Sequence, residues 1–243
     1  MIDLKGKWVL VTGSSRGIGR LLAEALAKKG ANLILHSRKI EHTDEIAALA
    51  RSLGVSVRQV EADLSDGSSV IAMLDSIADL DVSVVYNNAG YQVTYRPDIY
   101  DTPYEDYDLS FRINTVAPML ICYRLFPLMK KNKFGRIVNT TSGIAGDPHQ
   151  GPYSAAKAAL DKVTADLATQ IEADEDIVIS LTDPGWCRTD LGGPSAPNAP
   201  ESAVAGCLAP GFVSKCKSGR IIHAQDYVGL SLDRIVEELE QEI

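Results

Sequence analysis

Trp8-Val9-Leu10-Val11-Thr12-Gly13-Ser14-Ser15-Arg16-Gly17-Ile18-Gly19 decides the fold. Its first four residues are apolar and rich in β-branched and aromatic types, which predicts a buried strand. A glycine-rich turn follows, and Leu21, Leu22, Ala25 and Leu26 then recur at helical spacing until Gly30 closes the helix. A strand passing through glycines into a helix N-terminus suits a pyrophosphate. The backbone can approach it closely, and the first helical N–H groups meet it with the positive end of the helix dipole. The glycines run G-x-x-x-G-x-G, not the G-x-G-x-x-G of the usual dinucleotide fingerprint. Alone, the turn also reads as purely structural.

The pattern repeats outward from there. Strands are expected at Leu33-Ile34-Leu35, Val55 to Val60, Val82 to Tyr86, Gly135 to Thr140, Ile177 to Leu181 and, briefly, Ile221-Ile222. Helical periodicity separates them: about Thr43 to Leu53, then Val70, Ile71, Leu74 and Ile77, and a long stretch from about Pro103 to Lys131 in which Pro118 predicts a break or kink. Strands separated by helices imply βαβ crossovers. The expected architecture is therefore α/β: a Rossmann-type doubly wound parallel sheet, one domain over residues 1–243. Gly192 to Pro200 has no period and reads either as a mobile flap over a pocket or as a loose connection. The C-terminal Leu232, Ile235, Val236 and Leu239, set among glutamates, predict an amphipathic helix packed on the sheet or on a partner subunit.

Composition narrows the function. The 243 residues suffice for one sizeable core. Against 24 basic residues stand 32 acidic ones, a net charge of −8, which argues against a nucleic acid or an anionic membrane as the main partner. Met1 to Val11 carries Asp3, Lys5 and Lys7 and resembles neither a signal peptide nor an anchor, and no run approaches the ~20 apolar residues of a membrane span. Cys122, Cys187, Cys207 and Cys216, like His36, His42, His149 and His223, are dispersed without metal-ligand spacing, so no metal site is expected. A reduced, cytoplasmic protein is the simplest reading.

Tyr153-Ser154-Ala155-Ala156-Lys157, just after Pro152, reads as the opening turn of a helix, with Tyr153 and Lys157 four apart on one face. A phenol titrates near roughly 10. A neighbouring ammonium favours the phenolate and is expected to draw that value toward the working range. Tyrosine and lysine at this spacing also occur on ordinary solvated faces, so the pair gains meaning only from its company. At the end of the second strand, where an adenosine ribose would lie, stand His36-Ser37-Arg38-Lys39, with no acidic residue before Glu41. Arginine there favours a 2′-phosphate, and Arg16 in the glycine turn could reach the same group, so NADP(H) is expected over NAD(H), which stays possible. If Arg38 and Lys39 are merely solvated, the preference is weak.

Across about Lys7 to Leu191 the chain resembles the short-chain dehydrogenase/reductase family. The resemblance is carried by the glycine turn, Asp63-Leu64, Asn87-Asn88-Ala89-Gly90, Asn114, Ile137-Val138-Asn139-Thr140-Thr141-Ser142, Tyr153 with Lys157, and Pro184-Gly185. It implies an oxidoreductase that interconverts a ketone or aldehyde and an alcohol by hydride transfer. Its catalytic residues would be Asn114, Ser142, Tyr153 and Lys157. Tyr153 would exchange a proton with the substrate oxygen, Ser142 orient that oxygen, Lys157 bond the nicotinamide ribose and lower the Tyr153 pKa, and Asn114 hold a water linking Lys157 to solvent. The cofactor would meet Gly13, Ser15, Arg16, Gly17, Ile18 and Gly19, then Ser37 and Arg38. Asp63 with Leu64 would lie at the adenine, and Asn87, Asn88, Ala89 and Gly90 at the adenosine ribose. Tyr153, Lys157, Pro184, Gly185 and Thr189 would border the nicotinamide, Thr189 bonding its carboxamide. Relatives that form homodimers and homotetramers suggest the same here, through the Lys157 helix and the long helix before it.

Ser142 and Tyr153 stand slightly closer in sequence than is common in the family, and Thr141 is the alternative to Ser142. Tyr91, Tyr95, Tyr100, Tyr104 and Tyr107, with Trp186, either line a pocket for a hydrophobic carbonyl compound or lie at the surface or a subunit contact. The substrate loop is expected at about residues 186–218. His149 is expected near the cleft and is assigned no catalytic role. A non-catalytic dinucleotide-binding regulator of the same fold is the alternative from another class, and it would be expected to have a broken Tyr-Lys-Ser-Asn set. A sugar-nucleotide epimerase or dehydratase would need a longer region after the sixth strand.

Overall fold

Seven strands lie parallel in one sheet: β1 (Trp8–Val11), β2 (Asn32–Ser37), β3 (Val57–Glu61), β4 (Val82–Asn87), β5 (Phe134–Thr140), β6 (Asp176–Asp183) and β7 (Ile221–His223). The computed structural model describes residues 1–94, 96–146, 151–214 and 216–241. The connections carry α1 (Gly17–Lys28), α2 (Asp44–Ser52), α3 (Gly67–Asp75), α4 (Tyr104–Phe111), α5 (Ala117–Asn132), α6 (Gly151–Ala168), α7 (Val204–Leu208) and, after β7, α8 (Leu232–Gln241). The spatial order is β3-β2-β1-β4-β5-β6-β7. The chain winds outward from β1 to β3, then returns to lay β4 on the other side of β1. That reversal opens a crevice at the C-terminal ends of β1 and β4, the place where open α/β sheets bind ligands.

Strand alternation feeds two cores, one on each face of the sheet. Val9, Val11, Leu33, Leu35, Val84 and Tyr86 pack with α1, α2, α7 and α8. Leu10, Ile34, Val85, Ile137 and Ile179 pack with α3 and α5. Each fully buried aliphatic side chain contributes about 1.5–3 kcal/mol, so the central strands anchor everything at their ends. Ile235, Val236 and Leu239 of α8 are buried in the first core, so this acidic helix packs on its own domain. None of the described helices is long and apolar enough to cross a membrane.

The long helical stretch breaks one turn earlier than Pro118 predicts. A widened π-type turn, Arg112–Val116, joins α4 to α5, with the Ala117 N–H donating to the Arg112 carbonyl five residues back. Pro118 then falls in the first turn of α5, where a missing N–H costs little. The residue that would donate to the Asn114 carbonyl in a regular helix is this proline. Pro127, inside α5, is tolerated within the helix.

Candidate active site

The glycine turn is fastened by hydrogen bonds among neutral groups. Thr12 N donates to the Tyr86 carbonyl at 3.0 Å, and the Thr12 hydroxyl accepts from Ala89 N at 3.0 Å. Asn88 Nδ2 donates to the Thr12 carbonyl at 3.1 Å. Gly13 has φ +66, and a Cβ there would stand 3.0 Å from the Ala89 Cα. At Gly19 a Cβ would overlap the Gly13 carbonyl and the Asn88 amide. Gly13, Gly19, Asn88 and Ala89 therefore form one close-packed floor, with Ser15 and Ile18 half-buried on the same turn. No side chain caps α1, and its first turn holds no acidic residue, so its N-terminal N–H groups open toward the crevice.

His36, at the end of β2, is the residue of this turn that sequence reasoning passed over. Gly13 N donates to its Nδ1 at 3.2 Å, and its Nε2 lies 3.2 Å from the Ala62 carbonyl. Accepting at one nitrogen and donating at the other requires the neutral ring. Burial pushes its pKa down to about 4, against a smaller opposing effect of the Ala62 bond. Its carbonyl accepts from both the backbone and the hydroxyl of Ser14. The sequence signal was a histidine inside an otherwise apolar strand.

Beyond it, the Ser37 hydroxyl donates to the Lys39 carbonyl, while Arg38 and Lys39 stand exposed. Asp63 accepts from the Ser65 hydroxyl and backbone at 2.7 and 2.9 Å. These bonds, helped less by Arg38, hold its carboxyl below the usual range. Leu64 beside it is buried. Arg16 turns elsewhere: its Nη1 lies 2.6 Å from Asp190 Oδ2, in the loop after β6, with both side chains exposed.

At the other end of the crevice α6 presents Tyr153 and Lys157, both buried. Lys157 Nζ donates to the Thr140 carbonyl at 2.7 Å and lies 5.7 Å from the centre of the Tyr153 ring. Burial lowers the Lys157 pKa to about 8, with Asp161 opposing. Burial also raises Tyr153 to about 12, seconded by the charge of Asp183, while its hydrogen bond with Ser142 acts the other way. Lys157 is not among the groups that shift the phenol in this site. The ammonium is committed to the end of β5, and desolvation disfavours the charged form of both groups.

Ser142 is half-buried two residues past β5. The Thr141 hydroxyl instead donates to Asp161, so of the two it is Ser142 that bonds the phenol. Asn114, fully buried in the π-type turn, clamps the segment after Gly90: it accepts from Tyr91 N at 2.9 Å and donates to the Tyr91 carbonyl at 2.7 Å and to the Ser110 hydroxyl at 3.1 Å. A Cβ on Gly90 would lie 3.3 Å from Asn114 Oδ1 and 3.7 Å from Lys157 Nζ. Asn114, Gly90 and Lys157 thus converge on one point. Asn87 belongs to the layer beneath, donating to Asn139 Oδ1 at 2.8 Å, and Asn139 donates in turn to Thr164 at 2.9 Å.

The loop after β6 completes the rim, and hydrogen bonds to backbone carbonyls run through it. Arg188 N donates to the Asn198 carbonyl and Asn198 N to the Trp186 carbonyl. The Arg188 guanidinium reaches the Ala196 and Pro197 carbonyls, and Trp186 Nε1 the Gly192 carbonyl at 2.7 Å. Gln225, past β7, donates to the Pro184 carbonyl at 2.7 Å and fixes the loop's root beside Gly185. Thr189 approaches the glycine turn, 3.4 Å from where a Gly17 Cβ would be. Tyr91, Tyr100, Tyr104, Tyr107 and Trp186 are exposed, while Tyr95 and His149 lie outside the described residues. No described group of three or more His, Cys, Asp or Glu could hold a metal ion.

A family model described as short chain dehydrogenase matches residues 7–199. The chain is 34% identical over 216 residues to the oxidoreductase UcpA of Salmonella typhimurium, covering 84% of this chain and 80% of that one. It is 32% identical over 195 residues to the 3-oxoacyl-[acyl-carrier-protein] reductase FabG of Aquifex aeolicus, covering 78% and 77%. Its fold superposes with a TM-score of 0.81 on a 3-oxoacyl (acyl-carrier-protein) reductase from Agrobacterium tumefaciens solved with NADP bound, at 24% identity over 91% of this chain and 93% of the other.

Proposed function

The chain belongs to the short-chain dehydrogenase family, and from that premise we propose that it is an NADP(H)-dependent oxidoreductase interconverting a ketone or aldehyde and an alcohol, with Tyr153 as proton donor or acceptor. One observation carries the reading: an uncapped helix N-terminus over a glycine floor and a buried Tyr153–Lys157 pair stand on the same edge of one sheet. The turn closes on Asn88 and Ala89 only because Gly13 and Gly19 lack a Cβ, and the helix N-terminus above it suits a pyrophosphate. The N–H groups of Ser15, Gly17, Ile18 and Gly19 would hold it, with Gly13, whose N–H goes to His36, shaping the turn beneath. Ser37 and Arg38 would meet a 2′-phosphate, Asp63 and Leu64 the adenine, and Asn88, Ala89 and Gly90 the adenosine ribose. Lys157, Pro184, Gly185 and Thr189 would border the nicotinamide, which supplies the hydride when bound.

Tyr153, with a pKa near 12, is protonated throughout the neutral range and ready to donate to a carbonyl oxygen. Ser142 positions that oxygen and supports the phenolate that results. Lys157, near 8, is close enough to neutral pH to return the proton, and the Asn114 carbonyl, left without an N–H from Pro118, suits a water on the route to solvent. The substrate is a small carbonyl or alcohol compound bordered by residues 186–218. The exposed Val116, Tyr123 and Leu128 of the helical stretch before α6 support a homodimer or homotetramer, and the buried thiols of Cys122, Cys187 and Cys207 support a cytoplasmic location. The test is consumption of NADPH and NADH with a panel of ketones, diketones, sugars and steroids, and of the oxidised cofactors with the matching alcohols. NADPH-linked turnover is expected. Cofactor binding without turnover in either direction would favour the regulator.

A further inference from the structure

Asp183 ends β6 in register with His223 of β7. Its Oδ1 accepts the Gly185 N–H at 2.9 Å, and its Oδ2 lies 3.1 Å from His223 Nδ1. Oδ2 also abuts Gly143, the exposed residue next to Ser142. A Cβ at that position would stand 2.8 Å from Oδ2, so the carboxylate lies this close to the residue after Ser142 only because residue 143 has no side chain. The negative charge of the same carboxylate also opposes ionisation of Tyr153 and of Asp161. The cations around the site are committed elsewhere: Lys157 to the Thr140 carbonyl, Arg188 to the Ala196 and Pro197 carbonyls, and Arg16 to Asp190. His223, half exposed, remains as its partner on the β7 side.

We propose that Asp183 selects the substrate: the site takes a carbonyl compound bearing an ammonium group, whose charge seats against Asp183 Oδ2, in preference to neutral or anionic ones. A fixed carboxylate at the wall of a cleft attracts a cation and repels an anion more strongly than it does in open water. The assignment rests on Tyr153 and Ser142 being the carbonyl end of the site. It adds what the rest of the substrate must carry.

The test uses three ketones of one shape: cyclohexanone with an ammonium, a hydrogen or a carboxylate at carbon 4. Their affinities for the NADP-loaded protein are measured by calorimetry, with NADPH-linked turnover followed alongside. The ammonium compound is expected to bind about tenfold more tightly than the neutral one, and the carboxylate about tenfold more weakly. Asp183→Asn should bring the three within about threefold of one another. Gly143→Ala, which keeps the charge but sets a methyl before Oδ2, should weaken the ammonium compound alone; it carries the comparison should Asp183→Asn fail to fold. An ammonium compound that binds no better than cyclohexanone overturns the proposal, as does an Asp183→Asn protein with the order unchanged. Missing turnover with the charge order intact counts against the Tyr153 chemistry only. Turnover and affinity indifferent to charge count against Asp183 only.

Discussion

At the β1–β3 end of the crevice, the glycine turn is held by Thr12, Asn88, the neutral His36 ring and backbone groups. At the β5–β7 end, the facing residues are ionisable and mostly buried: Lys157, Tyr153, Asp161 and Asp183, with His223 beside them. The first region is a shape that a cofactor's phosphates can enter without moving a proton. In the second, burial disfavours the charged forms of Lys157, Tyr153 and Asp161, so small changes there move protons. Binding geometry and proton handling are thus built by different means on one sheet edge, and each can be disturbed without the other.

The largest expected effect sharpens the catalytic side. Lys157→Met should lower turnover by about 10²–10⁴-fold while leaving the protein at least as stable near pH 7. With a folded pKa near 8 against an ordinary 10.5, the unfolded chain binds the proton more strongly between those values. Stability should therefore rise with pH across that window, by about 3 kcal/mol, and the rise should vanish in the variant. Chemical denaturation at several pH values measures both. A variant that unfolds readily at neutral pH would break the comparison, because Lys157 would then be holding the fold rather than burdening it.

His36 gives the matching test at the other end. Its folded pKa of about 4 lies below the ordinary 6.5, so the unfolded state takes up the proton first. Stability should be fully present above 6.5 and fall as pH drops toward 4, by about 3 kcal/mol, and His36→Gln should remove much of that slope. An unchanged acid profile in the variant would show that the ring is not what fastens the turn.

The smallest effects separate two arginines that sequence treats alike. Arg38→Ala should weaken NADPH binding by about tenfold and leave NADH nearly unaffected, through one lost charge-assisted contact. Arg16→Ala should change NADPH binding by about threefold or less, since an exposed pair such as Arg16–Asp190 contributes about 1 kcal/mol at most. Equal losses in the two variants would place both at the 2′-phosphate. Fluorescence titration with each cofactor decides.

What was legible in the sequence was local. The period of Trp8 to Val11 and of Leu33 to Leu35, the glycine turn, and Tyr153 with Lys157 at helical spacing are all carried by neighbouring residues, and the parallel sheet follows from their alternation. Contacts between distant segments were not legible. Pro118 announced an irregularity, but the widened turn sits just before it, because the helix relieves the proline's missing donor on its N-terminal side. The ion pair of Arg16 with Asp190, the His36 bridge from Gly13 to Ala62, and the meeting of Asp183 with His223 depend on strand register. The upward shift of Tyr153 depends on burial, which residue spacing does not report. The Gly192 to Pro200 stretch looked featureless because its order comes from backbone carbonyls answering Trp186 and Arg188.

The measurement that bears most directly on the account compares the native protein with Tyr153→Phe, following NADPH consumption on the carbonyl panel and NADPH affinity in parallel. Loss of turnover by about 10²–10⁴-fold, with NADPH affinity within about threefold of native, is the predicted result, because the variant removes only the proton and one hydrogen bond. A variant as active as the parent would contradict the account, since the proton would then come from another group.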